Sequence, residues 1–112
     1  MKHIAREIRN CLAFHQYRAS CALCRTLLEL CVKDVCIRKE WIYYIGNYED
    51  FYEEYKFCDI REKIPNKNLL RRVRNLYKEL SRIIHNSENI NYSNALLLYK
   101  NAREIIQRLY EL

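Results

Sequence analysis

The sequence predicts an all-α fold, an antiparallel up-and-down bundle of four main helices plus a short aromatic-rich helix. Its 112 residues include one glycine and one proline, although strands and tight turns use both residues heavily. Leu, Ile, Arg, Lys and Glu, which favour helices, fill the long segments, where apolar residues recur at steps of three and four. This length suits one domain, so we expect residues 1–112 to share a single core.

Periodicity and capping signals locate the individual helices. The four main helices are predicted over residues 2–15, 18–37, 67–86 and 93–112. The second is the most apolar and is expected at the centre of the bundle. Asn66 is predicted to cap the third main helix, and Gly46-Asn47 is the strongest turn signal in the chain. Beyond this turn, aromatic residues at helical spacing predict the short helix and a core or dimer interface; they are Tyr48, Phe51, Tyr52 and Tyr55.

The chain has six cysteines, and five of them lie between Cys11 and Cys36. In a reducing cytosol we expect free thiols. The segment CALC has the C-x-x-C spacing of zinc sites, but no second pair of this kind follows it. A helical stripe at steps of three and four contains Cys21, Cys24, Leu28, Cys31 and Val35. We therefore predict cysteines packed in the core, with no metal and no cofactor; metal or redox chemistry is the alternative.

Charge is distributed unevenly along the chain, which has a formal net charge of +6. Residues 66–85 contain six Lys and Arg residues against one acidic residue, Glu79. Residues 49–62 reverse this balance, with six acidic residues against two basic ones. A basic helix beside an acidic segment predicts a phosphate-binding surface, a protein interface or two patches that meet in a homodimer. Solvated helix faces without a partner are the remaining interpretation.

One face of the third main helix carries a row of cations that ends in a histidine. At about 100° per residue, the apolar residues fall on one arc and Arg71, Arg74, Lys78, Arg82 and His85 fall on the opposite arc. We call these five residues the basic ridge and predict that its Arg and Lys side chains bind nucleic acid. Metal-independent RNA cleavage needs an imidazole to move protons and a cation to stabilise the developing phosphorane charge. The candidate catalytic residues are therefore His85, Lys78 and Arg82, with Arg74 as a further phosphate contact.

Two segments resemble a known family. YRASCALCRTLLELCVKDVC, from Tyr17, resembles the second-helix signature of HEPN-like domains (higher eukaryotes and prokaryotes nucleotide-binding), and LYKELSRIIHNSE resembles a later helix of a small bacterial branch. The resemblance implies an up-and-down bundle, frequent homodimers and roles in antiphage defence, toxin–antitoxin pairs or RNA processing. Catalytic members of the family carry an arginine shortly before the histidine. His85 matches the histidine, whereas Lys78, Glu79 and Leu80 occupy the positions where that arginine would stand.

These observations predict a small HEPN-like module without catalytic activity that dimerises and binds a protein partner or RNA in bacterial defence or a toxin–antitoxin pair. One alternative is a metal-independent ribonuclease in which a dimer presents two copies of His85. Another is a phage or antitoxin-type accessory protein that covers a partner's surface. The charged segment MKHIAREIRN differs from a signal peptide, and no apolar run approaches the roughly 20 residues that span a bilayer. We therefore expect a cytoplasmic protein without membrane contacts.

Overall fold

The computed structural model describes residues 2–42, 56–86 and 89–112. Its helices are α1 (Lys2–Ala13), α2 (Tyr17–Arg38), α3 (Phe57–Ile60), α4 (Lys67–His85) and α5 (Tyr92–Glu111), and a 3₁₀ turn covers Arg61–Lys63. These three stretches contain no strand, which confirms the predicted all-α fold. The four long helices begin and end within two residues of the predicted boundaries. The predicted aromatic helix falls outside the described residues.

The long helices form an up-and-down bundle with α2 and α5 at its centre. These two helices run parallel, since the ring of Tyr17 lies 6.1 Å from that of Tyr92 at their starts and Tyr110 donates to Asp34 near their ends. Both α1 and α4 pack against this central pair. The direction of α4 is opposite to that of α2, because Tyr77 in α4 donates to Glu29 in α2, while the later residue His85 contacts the earlier residue Arg25.

The buried side chains of the four long helices and α3 form one hydrophobic cluster. Helix α2 contributes the largest share, including the buried thiols of Cys21, Cys24, Cys31 and Cys36. The prediction that most cysteines pack in the core is therefore confirmed. Asp34 is also buried, and it accepts hydrogen bonds from Tyr110 and, at 2.8 Å, from Nε of Arg38. In the part of the chain that the structure describes, no helix is long and apolar enough to cross a membrane.

Non-glycine residues in a left-handed conformation end α1 and α2. His15 and Glu40 have φ angles of 60° and 58°. After α1, the amide of Gln16 donates to the carbonyl of Cys11 at 2.7 Å, and the same pattern surrounds Glu40 after α2. This is the Schellman motif, in which the left-handed residue is usually glycine. The first helix therefore ends at Ala13, two residues before the predicted end.

Asparagine side chains cap the other two long helices. Oδ1 of Asn66 accepts a hydrogen bond from the amide of Leu69 at 3.0 Å, which confirms the predicted cap of α4. Asn91 caps α5 in the same way, accepting from the amide of Asn94 at 2.8 Å. Such caps satisfy amides that have no partner within the helix. The caps mark where α4 and α5 begin.

Candidate nucleic-acid interface

The basic ridge lies on the solvent side of α4. All five of its residues are exposed. The opposite face of the helix is buried and contains Leu69, Val73, Leu76, Leu80 and Ile83. The outward orientation that helical periodicity predicts for the ridge is therefore confirmed, while the roles of its residues stay predictions.

 A groove lies between α4 and the segment formed by α3 and the 3₁₀ turn. Two residues of the basic ridge, Arg74 and Lys78, line it. Its volume is about 410 Å³. The residues that line it are Cys58, Arg61, Arg74, Asn75, Tyr77, Lys78 and Ser81. We call this the cationic groove, since three of these side chains are cations and none of them is a carboxylate. Clustered Arg and Lys side chains favour the binding of phosphate groups.

Arg61 is held in the cationic groove by two aromatic rings. The centre of its guanidinium lies 5.8 Å from the ring centroid of Phe57 and 5.7 Å from that of Tyr77. Its Nε is buried and has no hydrogen-bond partner among the described residues, since Oε1 of Glu62 is 3.7 Å away. A buried donor without a partner costs folding free energy, and an anion in the groove would remove that cost. Sequence reasoning missed Arg61, because no local pattern indicates its contact with α4.

Arg74 belongs to the same groove, but its charge is matched within the chain. Its Nε donates to Oε1 of Glu62 at 3.0 Å, and its Nη2 donates to Oε2 of the same carboxylate. Hydrogen bonding from Arg74 holds the pKa of Glu62 below its ordinary value. The acidic segment and the basic ridge therefore meet inside one chain at this pair. A phosphate that binds Arg74 has to compete with Glu62.

The remaining ridge cations lie in different surroundings. Arg82 lines a second groove, of about 270 Å³, beside Asn94 and Asn101 of α5. Lys78 lines the cationic groove, so these two candidate catalytic cations border different grooves. Arg71 is exposed and lines neither groove. Among the described residues, neither Arg71 nor Lys78 has an ion-pair partner.

His85, at the end of α4, lies beside an arginine from another helix. Nη1 of Arg25 in α2 is 3.5 Å from Nε2 of His85 and 3.5 Å from Oγ of Ser81. Since a guanidinium can only donate, Nε2 is the acceptor, and the proton of a neutral ring lies on Nδ1. Sequence reasoning missed Arg25 because the two residues are 60 positions apart. The structure thus places a guanidinium next to His85 that the sequence of α4 does not provide.

The thiols of α2 are in a setting that suppresses their reactivity. Burial raises the pKa of Cys24 to about 12 and that of Cys31 to about 11. A thiol must lose its proton to act as a nucleophile or metal ligand, so both are unreactive near neutral pH. In residues 2–42, 56–86 and 89–112, no group of three or more His, Cys, Asp or Glu side chains could hold a metal ion. The predicted interface residues Tyr48, Phe51, Tyr52 and Tyr55 lie outside the described residues.

Comparison with known proteins gives no match to a family model, to a curated protein or to a solved structure. The HEPN-like resemblance therefore stays a prediction from the two sequence segments that carry it. Homodimerisation, which that resemblance implies, also stays a prediction.

Proposed function

We propose that this protein is a non-catalytic HEPN-like module that binds single-stranded RNA through the cationic groove and the adjoining basic ridge. The observation that carries the proposal is the grouping of Arg61, Arg74 and Lys78 in one groove. These cations come from two separate elements of the fold. In the described part of the chain, Glu62 pairs with Arg74 but no acidic side chain pairs with Lys78. A bound phosphate supplies that missing counter-charge.

The groove also contains groups suited to a nucleotide beyond its phosphate. The ring of Tyr77 and the hydroxyl of Ser81 line it beside the cations. Aromatic rings stack on bases, and hydroxyls bond to base edges or to the 2′-hydroxyl of RNA. Single strands leave their bases accessible to such side chains, whereas a duplex hides them. These features support single-stranded RNA as the ligand.

The test is binding of a fluorescently labelled single-stranded RNA, measured by anisotropy over a series of salt concentrations. The informative variant is Arg71→Gln combined with Lys78→Gln, because both side chains are exposed and without ion-pair partners among the described residues. We expect its affinity to fall by about a hundredfold at low salt, as two phosphate contacts are lost. The slope of log K against log salt should fall by about 0.7 for each lost contact.

The matched control is Lys2→Gln combined with Arg6→Gln, which removes the same charge from the exposed surface of α1. The control should retain nearly all of the affinity. If both double variants weaken binding equally, the protein responds to net charge alone and the groove is not the site. Absence of wild-type binding at low salt would reject the proposal altogether.

A metal-independent ribonuclease is the second candidate function, and the Arg25–His85 contact favours it. Arg25 can supply the guanidinium that catalytic HEPN members carry shortly before the histidine, while His85 can move the proton. One chain provides one imidazole, so a complete acid–base pair would require a dimer with two copies of His85. The non-catalytic proposal needs no such assembly and is therefore preferred.

Cleavage of labelled single-stranded RNA in EDTA distinguishes the two candidates. The ribonuclease hypothesis expects cleavage by the wild type and its loss in both His85→Ala and Arg25→Gln, with RNA binding retained. The non-catalytic proposal expects no cleavage by pure wild type and unchanged binding by His85→Ala. Cleavage that survives in His85→Ala would indicate a contaminating nuclease.

A further inference from the structure

A further groove, separate from the cationic groove and from the groove that Arg82 lines, lies between α1 and α5. Its volume is about 340 Å³, within the roughly 300–1,000 Å³ range of small-molecule sites. The residues that line it are Arg9, Leu12, Ala13, Tyr92, Leu96, Tyr99, Lys100 and Arg103. We call it the α1–α5 groove. It shares no residue with the proposed RNA-binding surface.

Apolar and cationic side chains occupy different ends of this groove. Because α1 and α5 are antiparallel, Leu12 and Ala13 lie near Tyr92 at the start of α5. The cations lie further along, on Arg9 of α1 and about two to three turns into α5. From Tyr92 to Arg103 the helix rises about 16 Å at 1.5 Å per residue. The groove is therefore elongated, with an apolar end and a cationic end.

Tyr99 lies between the two ends and carries an unsatisfied polar group. The residue is 3% exposed, and its hydroxyl has no hydrogen-bond partner among the described residues. The guanidinium of Arg103 lies 5.7 Å from the centroid of its ring. A buried hydroxyl without a partner is unfavourable, so a ligand atom that accepts from it gains binding free energy.

We infer that the α1–α5 groove binds a single-chain anionic amphiphile, such as a medium-chain carboxylate. The acid head lies at the cationic end, where Lys100 and Arg103 have no ion-pair partner in the described part of the chain. The hydroxyl of Tyr99 donates to the head, and the alkyl chain covers the apolar residues Leu12 and Leu96. Separate polar and apolar ends match such a ligand better than a uniformly charged one.

The test is calorimetric titration of the full chain with dodecanoate, kept below its micelle-forming concentration. We expect saturable binding at one site. Dodecyltrimethylammonium has the same alkyl chain with a cationic head, so it should bind at least about tenfold more weakly. Butyrate has the same head with a short chain and should also bind weakly, because it buries little apolar surface.

Variants assign the binding to this groove. Lys100→Gln combined with Arg103→Gln should weaken dodecanoate binding about tenfold, whereas Arg6→Gln, on the exposed surface of α1, should leave it unchanged. Tyr99→Phe should weaken it about threefold without lowering Tm, since the hydroxyl has no partner to lose. This Tm result separates a ligand contact from a structural role.

Several outcomes would overturn the inference. Equal binding of dodecanoate and dodecyltrimethylammonium would indicate adsorption of the alkyl chain alone. Unchanged affinity in the Lys100 and Arg103 double variant would place the site elsewhere. Binding of an acidic amphipathic helical peptide in the absence of dodecanoate binding would identify a protein-docking surface instead. None of these results depends on RNA binding, so the two proposals fail separately.

Discussion

Two helices of this protein carry chemically reactive residue types at steps of three and four. The basic ridge of α4 consists of cations and a histidine, and the cysteine stripe of α2 consists of thiols with apolar residues. The ridge faces solvent, so its side chains are accessible. The stripe faces the core, where burial raises the pKa of Cys24 to about 12 and suppresses its thiolate.

The difference shows that the spacing of residues along a helix does not by itself decide whether their side chains can react. Helical spacing decides which side chains share a face, whereas burial decides whether those side chains can react. A C-x-x-C spacing inside a buried stripe is therefore a packing feature here. Three predictions, from the largest expected effect to the smallest, test this contrast between the two helices.

Alkylation rates compare an exposed thiol with a thiol of the buried stripe. At about pH 8, iodoacetamide should modify the exposed Cys58 rapidly and leave Cys24 unmodified. A pKa of about 12 instead of the ordinary 9.0 lowers the thiolate fraction of Cys24 about a thousandfold. Mass spectrometry of peptides over time gives both rates. All six cysteines should react in denaturant, and equal native rates for Cys24 and Cys58 would show that the stripe is accessible.

Alkaline pH should destabilise the fold through the buried thiols. Their pKa in the folded chain is raised above the ordinary 9.0, to about 12 for Cys24 and about 11 for Cys31. The stabilisation is complete below pH 9 and is lost as pH rises towards these values, because the unfolded chain gives up its protons first. The free energy of unfolding should fall by up to about 1.4 kcal/mol per pH unit for each thiol.

Urea unfolding followed by circular dichroism between about pH 8 and pH 10 gives this slope. Cys24→Ala lowers stability at pH 8 by leaving a cavity, but it should reduce the dependence on pH. An identical pH dependence in wild type and variant would contradict the burial of that thiol.

The smallest expected effect is a change in RNA affinity on removing the charge of Glu62, which pairs with Arg74 of the basic ridge. Glu62→Gln releases Arg74, so the RNA affinity of the cationic groove should rise about threefold, while exposed pairs of this kind add little stability. Glu104→Gln is the matched control, since it removes the same charge beside Arg72 and Arg108 on the other side of α4. Anisotropy measures both. If the two variants gain affinity equally, net charge explains the effect and the groove does not.

The sequence by itself determined the helices and the environment of their faces. Apolar residues at steps of three and four located the four long helices, and Asn66 marked the start of α4. The same pattern predicted that the ridge is exposed and that most cysteines are buried. These features follow from local hydrogen bonding and from the repeat of one helix. The early end of α1 was missed because a left-handed His15 in place of glycine gives no clear local signal.

Only the tertiary structure decided which of these residues act together. It placed Arg25 beside His85, added Arg61 to the cationic groove and directed Arg82 towards α5. It also formed the α1–α5 groove from helices that are far apart in the chain. The physical reason is that the rotation and axial position of packed helices depend on how all their side chains fit together. No repeat within a single helix contains that information.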